Sequence, residues 1–162
     1  MLNVSIIYVE LLSLVFMQSN TYTIFYADDD IDDQDFFREI VSGINEDFLI
    51  YTQNNGDELL EILKNPPPNP NLIFLDLNMP QKNGYDVLKQ IRASEHTKQL
   101  PVIIFSTSND EKAISKTKEL GANLYITKPN SYTDFKKVMN SVLSLNWHLN
   151  LPVSKNFVFT SN

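Results

Sequence analysis

Short apolar runs alternate with amphipathic stretches along most of this chain. The apolar runs predict five strands, at Thr23–Ala27, Phe48–Thr52, Leu72–Asp76, Pro101–Ser106 and Asn123–Thr127. Three of these runs are almost continuously apolar, which is typical of strands that are covered on both faces of a sheet. The pattern therefore favours a buried, parallel sheet over a sheet with one solvated face.

The stretches between the runs carry apolar residues at helical spacing. The last stretch shows the spacing most clearly, with Phe135, Val138, Met139, Val142 and Leu143 at i, i+3, i+4, i+7 and i+8. Five strands that alternate with five helices predict an α/β fold, in which helices cover both faces of a parallel sheet. The crossover connections should be right-handed.

Composition narrows the possible functions. The 162 residues suffice for one domain, and a formal net charge of −7 opposes binding to nucleic acid phosphates. The chain has no cysteine, which excludes disulfides, thiolate metal sites and cysteine nucleophiles. We therefore expect no nucleic acid partner, and the cysteine content suits a cytoplasmic location.

The two ends of the sequence differ from the alternating region. Val4–Met17 is apolar apart from Glu10, and it could be a segment ahead of an internal start at Met17, an added packing helix or a weak membrane anchor. The run is short for a membrane span, and no Lys or Arg precedes it as in a signal peptide. We assign residues 1–20 to an N-terminal extension without membrane contact. Residues 149–162 are predicted to be a short C-terminal tail.

Polar residues stand where the predicted strands end, namely Asp28, Asp29, Asp76, Ser106 and Lys128. In open parallel α/β sheets, ligands bind beyond the carboxyl ends of the strands, where the strand order reverses. Three carboxylates against one ammonium group leave an excess of negative charge. A hard divalent cation would balance that charge, and Mg²⁺ is the usual ion where phosphate also binds.

Four more aspartates follow the first strand: Asp30, Asp32, Asp33 and Asp35. They fall at the start of the first predicted helix, where carboxylates favour the positive end of the helix dipole. We predict that all four face water. His96 and His148 match no site and are predicted to be surface residues.

Four motifs occur together in a set order: YADDD, LIFLDLNMPQKNGYDVL, LPVIIFSTSND and NLYITKP. With this order the chain resembles the receiver domain of bacterial two-component response regulators, over about residues 23–147. The resemblance implies a flavodoxin-like, doubly wound sheet of five parallel strands in the order 2-1-3-4-5, with five helices. It places the receiver domain at residues 21–148. The proline-rich connection at residues 65–71 departs from the pattern, and we expect it at the opposite end of the sheet from the pocket.

The resemblance also implies roles for individual residues. Asp76 would accept a phosphoryl group from a phosphohistidine, and Lys128 would pair with Asp76 and then with the phosphoryl oxygens. Asp76, Asp29, the backbone carbonyl of Asn78 and, through water, Asp28 would hold Mg²⁺.

Two further residues have implied roles in signalling. Ser106 would donate a hydrogen bond to the phosphoryl group. Tyr125 would be the switch residue, turning inward when Ser106 moves toward the phosphate.

The function that follows is a stand-alone receiver in a phosphorelay. Its partners would be a sensor histidine kinase or a phosphotransfer protein, and a downstream protein bound at the face of the fourth helix, fifth strand and fifth helix. Its own chemistry would be limited to self-phosphorylation and slow autodephosphorylation.

Two alternatives remain open on the sequence. A haloacid dehalogenase-type phosphatase would use Asp28 as nucleophile, but its Asp-x-Asp-x-Thr/Val signature meets Asp32 at the deciding position. The second alternative is a docking module that is never phosphorylated.

Overall fold

The structure is a computed structural model and describes residues 22–66, 68–145, 147 and 157–159. It contains five strands: β1 (Tyr22–Ala27), β2 (Phe48–Gln53), β3 (Leu72–Leu75), β4 (Val102–Ser106) and β5 (Leu124–Thr127). Each predicted strand is found, with its ends shifted by no more than one residue. The apolar runs were sufficient because four of the five coincide with strands buried between two layers of helices, whereas β2, at the sheet edge, has alternating exposed residues.

Five helices alternate with the strands: α1 (Ile31–Ser42), α2 (Gly56–Lys64), α3 (Gly84–Ala93), α4 (Glu111–Glu119) and α5 (Tyr132–Leu143). Each helix is preceded by a residue whose side chain caps the first turn by accepting a backbone N–H of that turn. In chain order these capping residues are Asp30, Asn55, Asn83, Asp110 and Ser131. Short polar side chains at these positions satisfy amides that have no partner within the helix, so the sequence determines where each helix begins.

All strand pairs are parallel, in the order β2-β1-β3-β4-β5, which confirms the predicted flavodoxin-like topology. Ala27 lies opposite both Gln53 and Leu75, while Ser106 lies opposite Thr127. The carboxyl ends of the strands therefore meet at one edge of the sheet. The chain leaves β1 toward β2 on one side and enters β3 on the other, which opens a crevice between β1 and β3.

The sheet separates two apolar layers of different chemistry. The layer under α1 and α5, which we call the aromatic layer, includes Tyr26, Phe37, Phe74, Phe105 and Phe135. The layer under α2, α3 and α4 is largely aliphatic and includes Leu59, Ile73, Val87, Ile91 and Ile104. Burial of both faces fixes the strand register, because a slip by one residue would exchange the two sets.

The proline-rich connection lies at the amino edge of the sheet, as predicted. The Asn71 N–H donates to the Thr23 carbonyl at 2.7 Å, and the Asn71 side chain accepts the Thr23 N–H at the same distance. Pro66 and Asn69 line a groove of about 740 Å³ together with His96. The added length is therefore accommodated away from the carboxyl edge.

Both predicted terminal segments lie largely outside the described residues, the N-terminal extension entirely so. Within the predicted tail, Val158 forms a parallel bridge with Tyr125 of β5. The sequence had suggested no structural role for this tail. Among the helices that the structure describes, none has both the length and the apolar character needed to cross a membrane.

Candidate functional site

Three carboxylates converge at the crevice between β1 and β3, and we call this group the acidic pocket. Asp28 and Asp29 follow the end of β1 directly, and Asp76 follows the end of β3. Each offers an oxygen, and these oxygens lie within 4.8 Å of one another. Asp28 is 1% exposed and Asp76 is 5% exposed, whereas Asp29 is open to solvent. The geometry thus brings together the three carboxylates that the sequence analysis placed at this edge of the sheet.

The chemistry of this donor set fits a hard cation. All three groups supply oxygen, which is the ligand atom that Mg²⁺ and Ca²⁺ prefer. Two of the carboxylates are buried, so water screens their mutual repulsion poorly. An ion such as Mg²⁺ would therefore be held by Asp28, Asp29 and Asp76.

Asp76 is held in an unfavourable environment for a charge. Burial raises the pKa of Asp76, and the neighbouring carboxylate of Asp28 raises it further. Lys128 and the backbone N–H groups of Asn78 and Leu77 lower the pKa, but they do not offset burial. The Asn78 N–H donates to Asp76 Oδ2 at 3.0 Å and so fixes the orientation of the carboxylate.

The loop after Asp76 packs directly against the start of α3. The Gly84 N–H donates to the Leu77 carbonyl at 3.1 Å. A Cβ atom at Gly84 would overlap the Asp76 carbonyl oxygen and lie 2.9 Å from the Leu77 Cα. Glycine is required here because of this close approach of two backbones. The contact helps to determine where Asp76 sits.

Lys128 enters the pocket from the end of β5, but it does not pair most closely with Asp76. Its Nζ lies 2.6 Å from both Asp28 Oδ2 and Asp33 Oδ2, and 4.0 Å from Asp76 Oδ1. Burial lowers the pKa of Lys128, but its hydrogen bonds to Asp28 and Asp33 and the negative charges of Asp28 and Asp76 together raise the pKa by more, so that the net shift is upward. The ammonium group therefore stays charged and is shared among three carboxylates.

Asp33 corrects one of the predictions. It was expected to be a solvated residue of the helix start, but it binds Lys128. Asp33 stands four residues before the buried Phe37, so both lie on the side of α1 that faces the sheet. That spacing is readable in the sequence and could have identified Asp33.

The other three aspartates of this stretch lie on the outer part of the helix start. The Asp30 carboxylate accepts the N–H groups of Asp32 and Asp33 as the helix cap, and Asp35 pairs with Arg38 at 2.6 Å. Because Asp30 is committed to the cap, the second aspartate of the phosphatase alternative is engaged outside the pocket. His96 is exposed, as predicted, and His148 lies outside the described residues.

Tyr26 is a residue of the site that the sequence analysis did not identify. Its hydroxyl donates to Asp28 Oδ2, while Asp28 Oδ1 accepts the Asp30 N–H at 3.0 Å. Burial raises the pKa of Tyr26, and its carboxylate neighbours add to the effect. Tyr26 precedes Asp28 by two residues and so shares its side of the chain, and this spacing in the sequence could have identified it.

The two predicted switch residues share a contact in the loop after β4. Ser106 is fully buried, and its Oγ accepts the Ser108 N–H at 3.4 Å. Tyr125 is also fully buried, and its hydroxyl donates to the Ser108 carbonyl at 2.8 Å. Tyr125 therefore lies inward in this structure, connected to Ser106 through Ser108.

The sequence of the chain matches a known family. The family model of the response regulator receiver domain matches residues 24–140. The two-component response regulator ORR5 of Oryza sativa subsp. japonica is 32% identical over 115 residues, which cover 70% of this chain and 85% of the rice protein. The response regulator Rcp1 of Synechocystis is 39% identical over 77 residues, or 48% of this chain and 52% of Rcp1.

Solved structures show the same similarity. The phosphorylated cyanobacterial phytochrome response regulator RcpA superposes with a TM-score of 0.73 at 27% identity, covering 81% of this chain and 96% of RcpA. The Mn²⁺-bound form of Rcp1 superposes with a TM-score of 0.69 at 29% identity, covering 76% of this chain and 92% of Rcp1. Both superpositions include most of the described residues.

Proposed function

Because the chain belongs to the response regulator receiver family, which accepts a phosphoryl group on an aspartate in two-component signalling, we propose that its acceptor is Asp76. The donor would be a sensor histidine kinase or a phosphotransfer protein. The observation that carries the proposal is the position of Asp76, buried at the end of β3 within 4.8 Å of two other carboxylates and 4.0 Å from Lys128.

The transfer is a displacement at phosphorus. A carboxylate oxygen of Asp76 forms a bond to the phosphorus as the bond from phosphorus to the donor imidazole nitrogen breaks, and the imidazole leaves. A carboxylate is a weak nucleophile, so most of the catalysis must come from positioning and from neutralising charge. The Asn78 N–H on Asp76 Oδ2 positions the carboxylate and leaves Oδ1 on the side of Lys128.

Several groups would neutralise the incoming phosphoryl oxygens. Mg²⁺, held by Asp28, Asp29, Asp76 and the carbonyl of Asn78, would supply positive charge when bound. Lys128 needs only a small change of side-chain position to reach a group attached to Asp76 Oδ1, 4.0 Å away. Ser106 would donate a hydrogen bond from its hydroxyl to a phosphoryl oxygen.

The signal would leave the domain as a change of surface. We assign the role of switch to Ser106 and Tyr125, which already share Ser108. A downstream protein would bind the face formed by α4, β5 and α5. The chain would carry out only self-phosphorylation and slow autodephosphorylation, and its family supports a cytoplasmic location.

Acetyl phosphate provides the direct test. The full chain is incubated with this donor with and without Mg²⁺, and its intact mass is measured. We expect a phosphate adduct that requires Mg²⁺, disappears in Asp76→Asn and persists in Asp32→Asn, which removes an exposed carboxylate of the same acidic stretch.

The remaining outcomes identify the alternatives. Failure of the wild-type chain to form an adduct with Mg²⁺ would favour the docking module. Sustained hydrolysis of a phosphate ester that requires Asp28 instead of Asp76 would favour the phosphatase.

A further inference from the structure

The outer edge of β5 is covered by a second part of the chain. Among the strands that the structure describes, β5 is the last in the sheet, so none of the other four strands pairs with its outer backbone groups. The segment Phe157–Phe159, which we call the edge segment, pairs there. The Tyr125 N–H donates to the Phe157 carbonyl and the Phe159 N–H donates to the Tyr125 carbonyl, both at 2.8 Å. The edge segment thus satisfies both outward backbone groups of Tyr125.

The side chains of the edge segment pack against both core layers beside β5. Phe157 is 4% exposed, with its ring centroid 6.3 Å from that of Tyr125 and with Lys118 of α4 placed 5.9 Å above its face. Val158 packs on the aliphatic layer and Phe159 on the aromatic layer. The edge segment therefore occupies the α4–β5–α5 face.

The opposite edge of the sheet provides a comparison. On β2, Leu49 and Tyr51 are 42% and 38% exposed, and no described segment pairs with the outer side of this strand. Coverage is thus specific to β5 within the described part of the chain. A single bridge with two hydrogen bonds is short compared with an ordinary strand pair, so few backbone contacts hold the edge segment on β5.

We propose that the edge segment is a displaceable intramolecular ligand of β5, and that a downstream partner binds by adding its own extended, aromatic segment to this edge. The proposal rests on the proposed function, since it concerns how a partner reaches the α4–β5–α5 face. Backbone hydrogen bonds to Tyr125 would provide affinity, and the site of Phe157 would select an aromatic side chain.

The same contact connects the edge to the acidic pocket. Tyr125 binds the edge segment through its backbone and binds Ser108 through its hydroxyl, and Ser108 in turn binds Ser106. A phosphoryl group that moves Ser106 would therefore alter the residue that holds the edge segment. Linkage is reciprocal, so release of the edge segment would change the free energy of phosphorylation by the same amount as phosphorylation changes the free energy of edge-segment binding.

Hydrogen exchange of the Tyr125 amide tests whether the edge segment is bound in the full chain. Phe159→Pro removes the N–H that donates to Tyr125, and Phe157→Ala removes the buried ring. We expect the double variant to exchange the Tyr125 amide faster by about tenfold or more, since its protection depends on local opening. Leu49→Ala, an apolar truncation on the β2 edge, is the matched control and should leave this amide unchanged. Equal exchange in wild type and double variant would overturn the proposal.

A peptide added in trans tests displacement. The probe is the peptide of residues 154–162, SKNFVFTSN. We expect it to bind the double variant and to bind the wild-type chain at least about tenfold more weakly, because the edge is already occupied. Equal affinity for both chains would overturn the proposal. Protection of Tyr125 that rises with protein concentration would also overturn it, since a second copy would then be the occupant.

The outcome can be separated from that of the phosphorylation test. The exchange and peptide measurements need no phosphoryl donor and are repeated in Asp76→Asn, where Tyr125 should remain protected. Treatment with acetyl phosphate and Mg²⁺ should then speed Tyr125 exchange in wild type and leave it unchanged in Asp76→Asn. An adduct on Asp76 without faster exchange would overturn the displacement, whereas protection without any adduct would contradict only the proposed function.

Discussion

The acidic pocket and the aromatic layer lie next to each other and have opposite requirements. The aromatic layer is complete after folding: the Phe37 ring contacts Tyr26, Phe74, Phe105 and Phe135 with centroids 4.3–6.4 Å away. The acidic pocket brings three carboxylates together, and the one ammonium group beside them, that of Lys128, is also bound by Asp33, so negative charge stays in excess until a cation binds. The first region stabilises the fold, and the second stores unfavourable charge that a ligand can relieve.

Tyr26 is where the two regions meet. Its ring stacks on Phe37 with centroids 4.3 Å apart, and its hydroxyl binds Asp28. Lys128 is near the aromatic layer as well, with its Nζ 5.9 Å from the Phe105 ring. The aromatic layer thus helps to position Asp28 and Lys128, because its packed rings hold the strands that carry these two residues.

The largest effect should come from opening the aromatic layer. Phe37→Ala leaves a cavity beneath the acidic pocket and should lower the free energy of unfolding by about 3–5 kcal/mol. Ile31→Ala on the same helix is the control, since Ile31 is 65% exposed, and its effect should be below about 0.5 kcal/mol. Denaturant unfolding measures both. A loss at Phe37 no larger than that at Ile31 would show that the aromatic layer does not support the fold.

The next effect concerns the backbone contact that positions Asp76. Gly84→Ala introduces a Cβ that overlaps the Asp76 carbonyl oxygen. We expect the free energy of unfolding to fall by about 2 kcal/mol and the phosphate adduct to form more slowly. Gly43→Ala is the matched control, because its Cβ would lie 3.3 Å from the nearest atom at an exposed helix end. Equal stability and equal adduct rates in the two variants would refute this role of Gly84.

The aromatic layer was easier to predict from the sequence than the connections within the acidic pocket. Strands, helix starts and strand-end residues follow from apolar runs and capping side chains, which act locally. The partners of Lys128 depend instead on distances between separate elements. Asp33 lies 95 residues away in sequence, and its contact requires the relative placement of α1 and β5. The edge segment was not foreseen for the same reason, since three residues carry too little pattern to indicate a partner strand.

A smaller effect should follow from separating the two regions at Tyr26. Tyr26→Phe keeps the ring and removes the hydrogen bond to Asp28. It should lower the free energy of unfolding, measured by denaturant unfolding, by about 1 kcal/mol. Tyr51→Phe, at a partly exposed position on β2, is the control and should be nearly neutral. Combining Tyr26→Phe with Phe37→Ala gives a double-mutant cycle. Strict additivity would mean that the aromatic layer and the acidic pocket are energetically independent, contrary to the structure.

The smallest effect has the opposite sign, because it removes charge from the acidic pocket. Burial raises the pKa of Asp76, so its ionised form destabilises the folded chain at neutral pH. Without divalent cations, Asp76→Asn should therefore increase the free energy of unfolding at pH 7 by on the order of 1 kcal/mol. Glu46→Gln, which removes one charge from an exposed loop, should have no comparable effect.

The pH dependence identifies Asp76 as the source of that gain. Between the unfolded pKa of 3.8 and the raised folded pKa, the folded wild type binds the proton more tightly than the unfolded chain does. Its stability should therefore fall as the pH rises through this interval, and the advantage of Asp76→Asn should appear there and then level off. Below the unfolded pKa both states are protonated, and the advantage should vanish. A gain that is constant with pH would mean that the variant improves packing, and the contrast between a strained acidic pocket and a relaxed aromatic layer would not hold.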